Sequence, residues 1–244
     1  MSLTTLTDSV DDIRKKAIAR GHYKPMTDDE YRLAVAEVFA KSMQAEQARI
    51  KPDYSRIGLT EGETSLTWTA IKPNVSDGAK ALDAVRPAYQ RGFGMVFLWG
   101  NWGQGKTLIG KILAATGYRD GKRAAYANMS SVLNDIRLAF DEKENKTTEL
   151  LRRMDWWMER EVLFLDELDK ANGTQWAQEQ IFTLLDRRYQ MAVREEALTV
   201  IASNSNTDEL DGYLQSRLYD RRISQVVHLS GKDARAIVPD GWKY

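Results

Sequence analysis

The sequence predicts an α/β protein, a parallel sheet flanked by helices, with a small helical unit at its N-terminus. Three observations predict it. Residues 100–107 read G-N-W-G-Q-G-K-T and fit the phosphate-binding pattern G-x-x-x-x-G-K-[ST]. The apolar run Gly94 to Trp99 before them reads as the strand that this pattern requires, and a helical stretch follows. Beyond the loop, strand-like and helix-like segments alternate, and the runs Val162–Leu165 and Leu198–Ala202 are apolar almost throughout, as expected of strands buried on both faces.

The elements follow in chain order. Ser9 to Arg20 and Asp28 to Ile50 are amphipathic; in the second, Tyr31, Val35, Val38, Phe39 and Met43 recur at helical spacing behind an acidic first turn. Residues 1–50 therefore read as a helical unit, 51–65 as a polar linker containing Pro52, Gly58 and Gly62, and 66–244 as the main domain. Leu66 to Ile71 alternates like a short strand. Gly78 to Gln90 reads as a helix interrupted or ended near Pro87. After the loop come a helix at Lys106–Thr116, a strand at Arg123–Ala127 and a helix at Ser130–Phe140. A polar loop at Asp141–Lys146 leads to a helix at Thr148–Met158 and the strand Val162–Leu165. Trp176–Gln190 reads as helix, Leu198–Ala202 as strand, Asp208–Arg222 as mostly helix and Val226–Leu229 as the last strand.

Composition narrows the chemistry. The chain has 244 residues, room for one α/β domain and a smaller appendage. Its 35 basic and 35 acidic residues cancel, so contact with nucleic acid must come from a local patch. No cysteine is present, and the two histidines, His22 and His228, lie far apart, which excludes disulfides and thiolate zinc sites. Mg²⁺ with nucleotide is the metal to expect. Residues 1–12 carry acids and no apolar core, and no apolar run approaches a membrane span, so the expectation is a soluble, cytoplasmic protein without a membrane partner.

The phosphate loop implies nucleotide binding. Its glycines let the backbone curl so that N–H groups converge on phosphate oxygens, and the following helix points its positive end at them. Lys106 adds charge for the β- and γ-phosphates, and Thr107 offers a hydroxyl to Mg²⁺. The nucleotide-binding set is Gly100, Asn101, Trp102, Gly103, Gln104, Gly105, Lys106, Thr107 and Leu108. The strand Val162–Leu165 then delivers Asp166 and Glu167 at the sheet's carboxyl edge, where ligands of open α/β sheets sit. Asp166 suits the Mg²⁺ shell, and Glu167 suits orienting or deprotonating an attacking water. Ser203-Asn204-Ser205-Asn206 ends the next strand, either as turn residues or as amides that reach the γ-phosphate. Arg217, Arg221 and Arg222 follow, solvated helix charges or a source of transition-state stabilisation for a neighbouring subunit; Arg235 lies after the last strand.

In this order, G-N-W-G-Q-G-K-T, V-L-F-L-D-E, D-R-R-Y, V-I-A-S-N, S-R-L-Y-D-R-R and G-K-D-A-R, the chain resembles the AAA+ ATPases of the bacterial replicative helicase-loader group, the DnaC/DnaI-like proteins, with the IstB transposition ATPases close by. The resemblance covers Leu66 to Arg235. It implies a P-loop AAA+ sheet and ATP hydrolysis with Mg²⁺ held by Thr107 and Asp166. Lys106, Asp166, Glu167, Asn204 and Arg217 become the catalytic set: Asn204 the sensor-1 residue, with Asn206 as competitor, and Arg217 an arginine finger acting in trans. Arg235 becomes the sensor-2 arginine. The implied partners are a hexameric replicative DNA helicase, docked by the helices before Lys51, single-stranded DNA, and further copies of the chain assembled through shared ATP sites. DNA contacts are implied at Asn128, Ser130, Arg137 and Lys143, with Lys146 and the core-or-stacking pair Trp156-Trp157 nearby. The alternatives are an IstB-like transposition ATPase on duplex DNA and a non-hydrolysing, ATP-gated adaptor. Two departures stand out: Asn101 replaces a common proline, and Asp233 replaces the usual serine beside Arg235, where an acid can neutralise the arginine.

Overall fold

A computed structural model describes residues 54–72, 77–140, 145–171 and 173–236, together with positions 33, 35–37 and 41. The chain divides into two compact units, 1–52 and 53–244. In the first, the described positions are helical, and Lys41 pairs with Glu37 one turn earlier at 2.7 Å. The expected helix Ser9–Arg20 lies outside the described residues, as does Lys143.

The second unit is built on five parallel strands: β1 (Gly94–Gly100), β2 (Ala124–Asn128), β3 (Val162–Asp166), β4 (Leu198–Ser203) and β5 (Ser224–Leu229), ordered β2-β3-β4-β1-β5. Helices α1 (Gly78–Arg91) and α2 (Lys106–Arg119) share one apolar core with Val96, Leu98, Phe164 and Val200. On the opposite face α3 (Met129–Leu138), α4 (Lys146–Met158), α5 (Gln175–Val193) and α6 (Gly212–Leu218) pack with Phe97, Leu163, Leu165 and Ile201. Successive strand residues thus enter opposite cores, which explains why the inner strands show no polar alternation.

Four expectations are corrected. Pro87 does not end α1, which runs to Arg91 and closes on a left-handed Gly92 whose N–H donates to Ala88 O. Ala81, Ala84, Val85, Ala88 and Tyr89 are buried at helical spacing, and that face offsets the hydrogen bond that proline removes. Leu66 to Ile71 is not a strand. Trp68–Ala70 forms a 3-10 turn, Ala70 N–H and Ile71 N–H donate to the carbonyls of Thr67 and Trp68, the Thr67 and Thr69 hydroxyls bond to each other, and such local bonds compete with sheet pairing. The polar segment 54–65 does not trail as a linker: two 3-10 turns, Tyr54–Ile57 and Gly62–Ser65, lie against the sheet unit, with Leu59 buried and Lys111 paired to Glu63. The stretch 208–222 is α-helical only over Gly212–Leu218, a helix that starts where Asp211 caps it by accepting from Tyr213 N–H at 2.9 Å.

Candidate nucleotide site

The carboxyl edges of β1, β3 and β4 bring the sequence-marked residues together. The loop after β1 turns through left-handed Gly103 and Gly105, with φ of 74° and 81°, where a Cβ would be strained. It then enters α2 directly at Lys106. Lys106 is buried; its ammonium donates to the carbonyls of Gly100 and Asn101 and to Asn204 Oδ1 at 3.1 Å. Burial lowers its pKa, and the charges of Asp166 and Asp169 partly restore it.

Thr107 and Asp166 meet across the α2–β3 gap: the hydroxyl donates to Asp166 Oδ2 at 2.7 Å. The other Asp166 oxygen accepts the Glu167 N–H at 2.9 Å. Glu167 itself sits at φ 56°, unusual for a residue with a side chain, and its carboxylate pairs with Lys170. A hydroxyl and a carboxylate are the hard oxygen donors that Mg²⁺ prefers, and the adjoining ammonium and helix N-terminus suit phosphate. The set fits a Mg²⁺-nucleotide, with Thr107 and Asp166 as the metal side and Lys106 with residues 100–105 as the phosphate side.

Asn204 and Asn206 separate cleanly. Asn204 bridges Lys106 and Asp169, donating its side-chain and backbone N–H groups to the Asp169 carboxylate at 3.0 and 2.9 Å. Burial pushes Asp169 up, yet these bonds hold its pKa below the usual value. Asn206 points elsewhere, capping the 3-10 turn Thr207–Glu209 through Asp208 N–H.

Arg217, Arg222 and Arg235 are each paired with an acid of the same chain. Arg217 donates to Asp186 at 2.9 Å and lies 3.2 Å from the centre of the Tyr213 ring. The segment Asp186–Tyr189 organises this region, since Tyr189 donates to Asp220, which grips Arg222. Arg221 is exposed and has no ion pair among the described residues. Arg235 pairs with Asp233 through two bonds, at 3.1 and 3.0 Å, so the acid does neutralise it in this structure. The same segment covers the phosphate loop: Ala234 N–H donates to Gly103 O at 2.9 Å, and buried Gln104 donates to Gly231 O. Trp102 and Asn101 are exposed.

Of the residues linked to DNA, Ser130 and Arg137 are exposed on α3, with Arg137 over the Trp176 ring at 5.0 Å. Asn128 turns inward and its Oδ1 lies 3.0 Å from the Tyr126 hydroxyl. Trp157 is core, donating to Asp135 at 2.8 Å, whereas Trp156 is partly exposed on the wall of a cavity of about 450 Å³ between α3, α4 and the 54–57 turn. Two site residues escaped sequence reasoning. Asp169 was hidden because three carboxylates crowd residues 166–169, and Tyr126 because it lies inside an otherwise small-residue apolar strand.

The model of the ATPase family associated with various cellular activities (AAA) matches residues 96–226, more than half of the chain. No curated protein matches in sequence. Among solved structures the fold is similar to AMPPCP-bound DnaA from Aquifex aeolicus, with TM-score 0.57, 16% identity, 67% of this chain and 49% of that one. It is also similar to the DnaC helicase loader, with TM-score 0.54 and 17% identity over 70% of this chain and 99% of that one. For DnaI the values are 0.53 and 15% over 70% and 94%. The chain thus spans about half the length of the DnaA structure it matches. No helix among the described residues is long and apolar enough to cross a membrane. The loop that carries Lys106, the acidic end of β3 and the asparagine end of β4 all fall inside the matched region, and the chain belongs to the AAA family of ATPases.

Proposed function

We propose that this protein is an ATP-dependent loader that binds a hexameric replicative DNA helicase and helps deposit it on single-stranded DNA when replication begins. One arrangement carries the reading: Lys106, Thr107, Asp166 and Asn204 converge at one edge of the sheet, in two hydrogen-bonded pairs, Lys106 with Asn204 at 3.1 Å and Thr107 with Asp166 at 2.7 Å. ATP with Mg²⁺ occupies that edge, and Glu167 prepares the attacking water. Arg217, one subunit away, stabilises the charge that develops on the γ-phosphate, so hydrolysis requires assembled protein. The choice of partner is supported by the similarity to the DnaC helicase loader, which extends over 99% of that chain. Helices within residues 1–50 dock the helicase, and the exposed face of α3 with Ser130 and Arg137 meets the DNA backbone, giving salt-dependent binding with little sequence preference.

The test is co-purification with a hexameric helicase in ATP, followed by a helicase-deposition assay on single strands. Stimulated deposition by the full chain, lost without residues 1–50 while nucleotide still binds, is the expected result. Failure to bind or deposit a helicase, with assembly on duplex DNA and a transposase instead, would overturn it. Glu167→Gln should retain ATP but stop turnover and release; unchanged loading by that variant would point to an adaptor.

A further inference from the structure

We propose that Tyr126 is a positioning residue for Asp166, its hydroxyl holding Oδ2 in the orientation that receives the Mg²⁺ of a bound nucleotide. The inference rests on the reading of this edge as a Mg²⁺-nucleotide site. β2 and β3 pair in register, Tyr126 opposite Phe164 and Asn128 opposite Asp166. Because side chains alternate, Tyr126, Asn128, Phe164 and Asp166 belong to one face, and Tyr126 reaches forward along it to the carboxylate.

The Tyr126 hydroxyl lies 3.0 Å from both Asp166 Oδ2 and Asn128 Oδ1. It has one hydrogen to give, and the ionised carboxylate is the stronger acceptor. The donor is therefore directed at Asp166. Oδ2 already receives the Thr107 hydroxyl at 2.7 Å, and Oδ1 receives Glu167 N–H at 2.9 Å. Asp166 is 2% exposed, so these three donors, rather than water, set its orientation.

Two features fit Tyr126 for the task. Its ring stacks on Phe164 with centroids 5.8 Å apart, so the hydroxyl has little freedom. A phenol is protonated near neutral pH, so the hydroxyl keeps its hydrogen to donate. A purely packing role at this position would be filled equally well by phenylalanine. The hydroxyl matters only if the orientation of the carboxylate matters. Groups that orient a metal carboxylate typically contribute about 10- to 100-fold to metal affinity.

The experiment is a titration of Mg²⁺ against the fluorescence of a bound ATP analogue, using the full chain, Tyr126→Phe and Asn128→Ala. Thermal melting first establishes that both variants are folded. The expected result is that Tyr126→Phe binds the nucleotide in excess Mg²⁺ but needs about tenfold more metal to reach half-saturation. Asn128→Ala, which leaves the hydroxyl with Asp166 as its acceptor, should keep the normal midpoint. A folded Tyr126→Phe with an unshifted midpoint would overturn the role of Tyr126 while leaving the Mg²⁺-nucleotide site intact. An equal shift in Asn128→Ala would also overturn it, because the polarity of the pocket rather than the phenol would then orient Asp166. Nucleotide binding by the unaltered chain that ignores Mg²⁺ would instead overturn the site on which the inference rests.

Discussion

Lys106 donates its ammonium to Asn204 Oδ1 at 3.1 Å, and Asn204 returns its own amide to Asp169 at 3.0 Å. The phosphate loop on β1, the end of β4 and the turn after β3 are thereby joined through one side chain. Under the proposed function, Asn204 senses the γ-phosphate through the lysine and transmits its position to the neighbouring strands. Asn204→Ala should lower ATP turnover by about 100-fold, the usual effect of deleting one preorganised polar group, while nucleotide affinity changes little. Asn206→Ala, which removes only a 3-10 cap, should turn over normally. Steady-state hydrolysis beside nucleotide titration separates the two, and equal losses would discard the assignment of Asn204.

Arg217 is the next case. In a single chain it is tied to Asp186 and stacked on Tyr213, which stores it at the surface in one orientation. A trans role requires it to act across a subunit junction, where such arginines contribute about 10³-fold or more to turnover. Arg217→Ala should therefore lower hydrolysis steeply in assembled protein and leave a dilute, monomeric preparation unchanged. The comparator is Arg221→Ala, since Arg221 is exposed without an ion pair among the described residues. A larger loss at Arg221 than at Arg217 would reassign the finger.

Much of this was legible in the chain, and the reason is physical. A strand buried on both faces must be apolar throughout, so Val162–Leu165 and Leu198–Ala202 announced themselves, and polar residues immediately after them had to lie at the ligand edge. That logic placed Asp166, Glu167 and Asn204, and the phosphate-loop pattern placed Lys106. It failed where tertiary packing or local side-chain bonding overrode the pattern. Pro87 reads as a helix stop until the buried face of α1 is seen, and Leu66–Ile71 alternates like a strand yet winds into a 3-10 turn with the Thr67 and Thr69 hydroxyls bonded to each other. Tyr126 and Asp169 act through partners 40 and 35 residues away in sequence, and no local pattern encodes such pairings.

A pH effect follows from the α3–α4 junction. Glu149 is held at about 2, below its ordinary 4.5, by hydrogen bonds from Arg152 and then Arg153; Arg153 also reaches Asp135 at 2.6 Å. Because the folded-state value is depressed, the stabilisation is present in full above about 4.5 and is lost as pH falls towards about 2. Glu149→Gln should melt below the unaltered chain near neutral pH, and the gap should close through that acid window. A gap that persists at its lower end would show that the pairing of Glu149 is unimportant. A carbon-detected titration of the Glu149 carboxyl reads the same value directly.

Arg188 gives the strongest stability prediction. Its side chain is completely buried and has no carboxylate partner among the described residues; its guanidinium donates to Thr199 Oγ1, Met158 O, Arg160 O and Leu198 O. Burial holds its pKa below the ordinary guanidinium value. These bonds fasten α5 to the beginning of β4 and to the turn that precedes β3, on the side of the sheet opposite the phosphate loop. A charge in such a place is tolerable only because its donors are matched to carbonyl and hydroxyl acceptors. Arg188→Met keeps most of the volume but leaves those acceptors buried and unpaired, each a penalty of about 1–3 kcal/mol before relaxation. The expected net loss is about 3 kcal/mol in urea denaturation, with the slope unchanged. Arg188→Lys should recover only part of it, since one ammonium cannot span four acceptors arranged for a planar fork. A loss below about 0.5 kcal/mol, the range of ordinary surface substitutions, would mean that the guanidinium costs as much to bury as its bonds return.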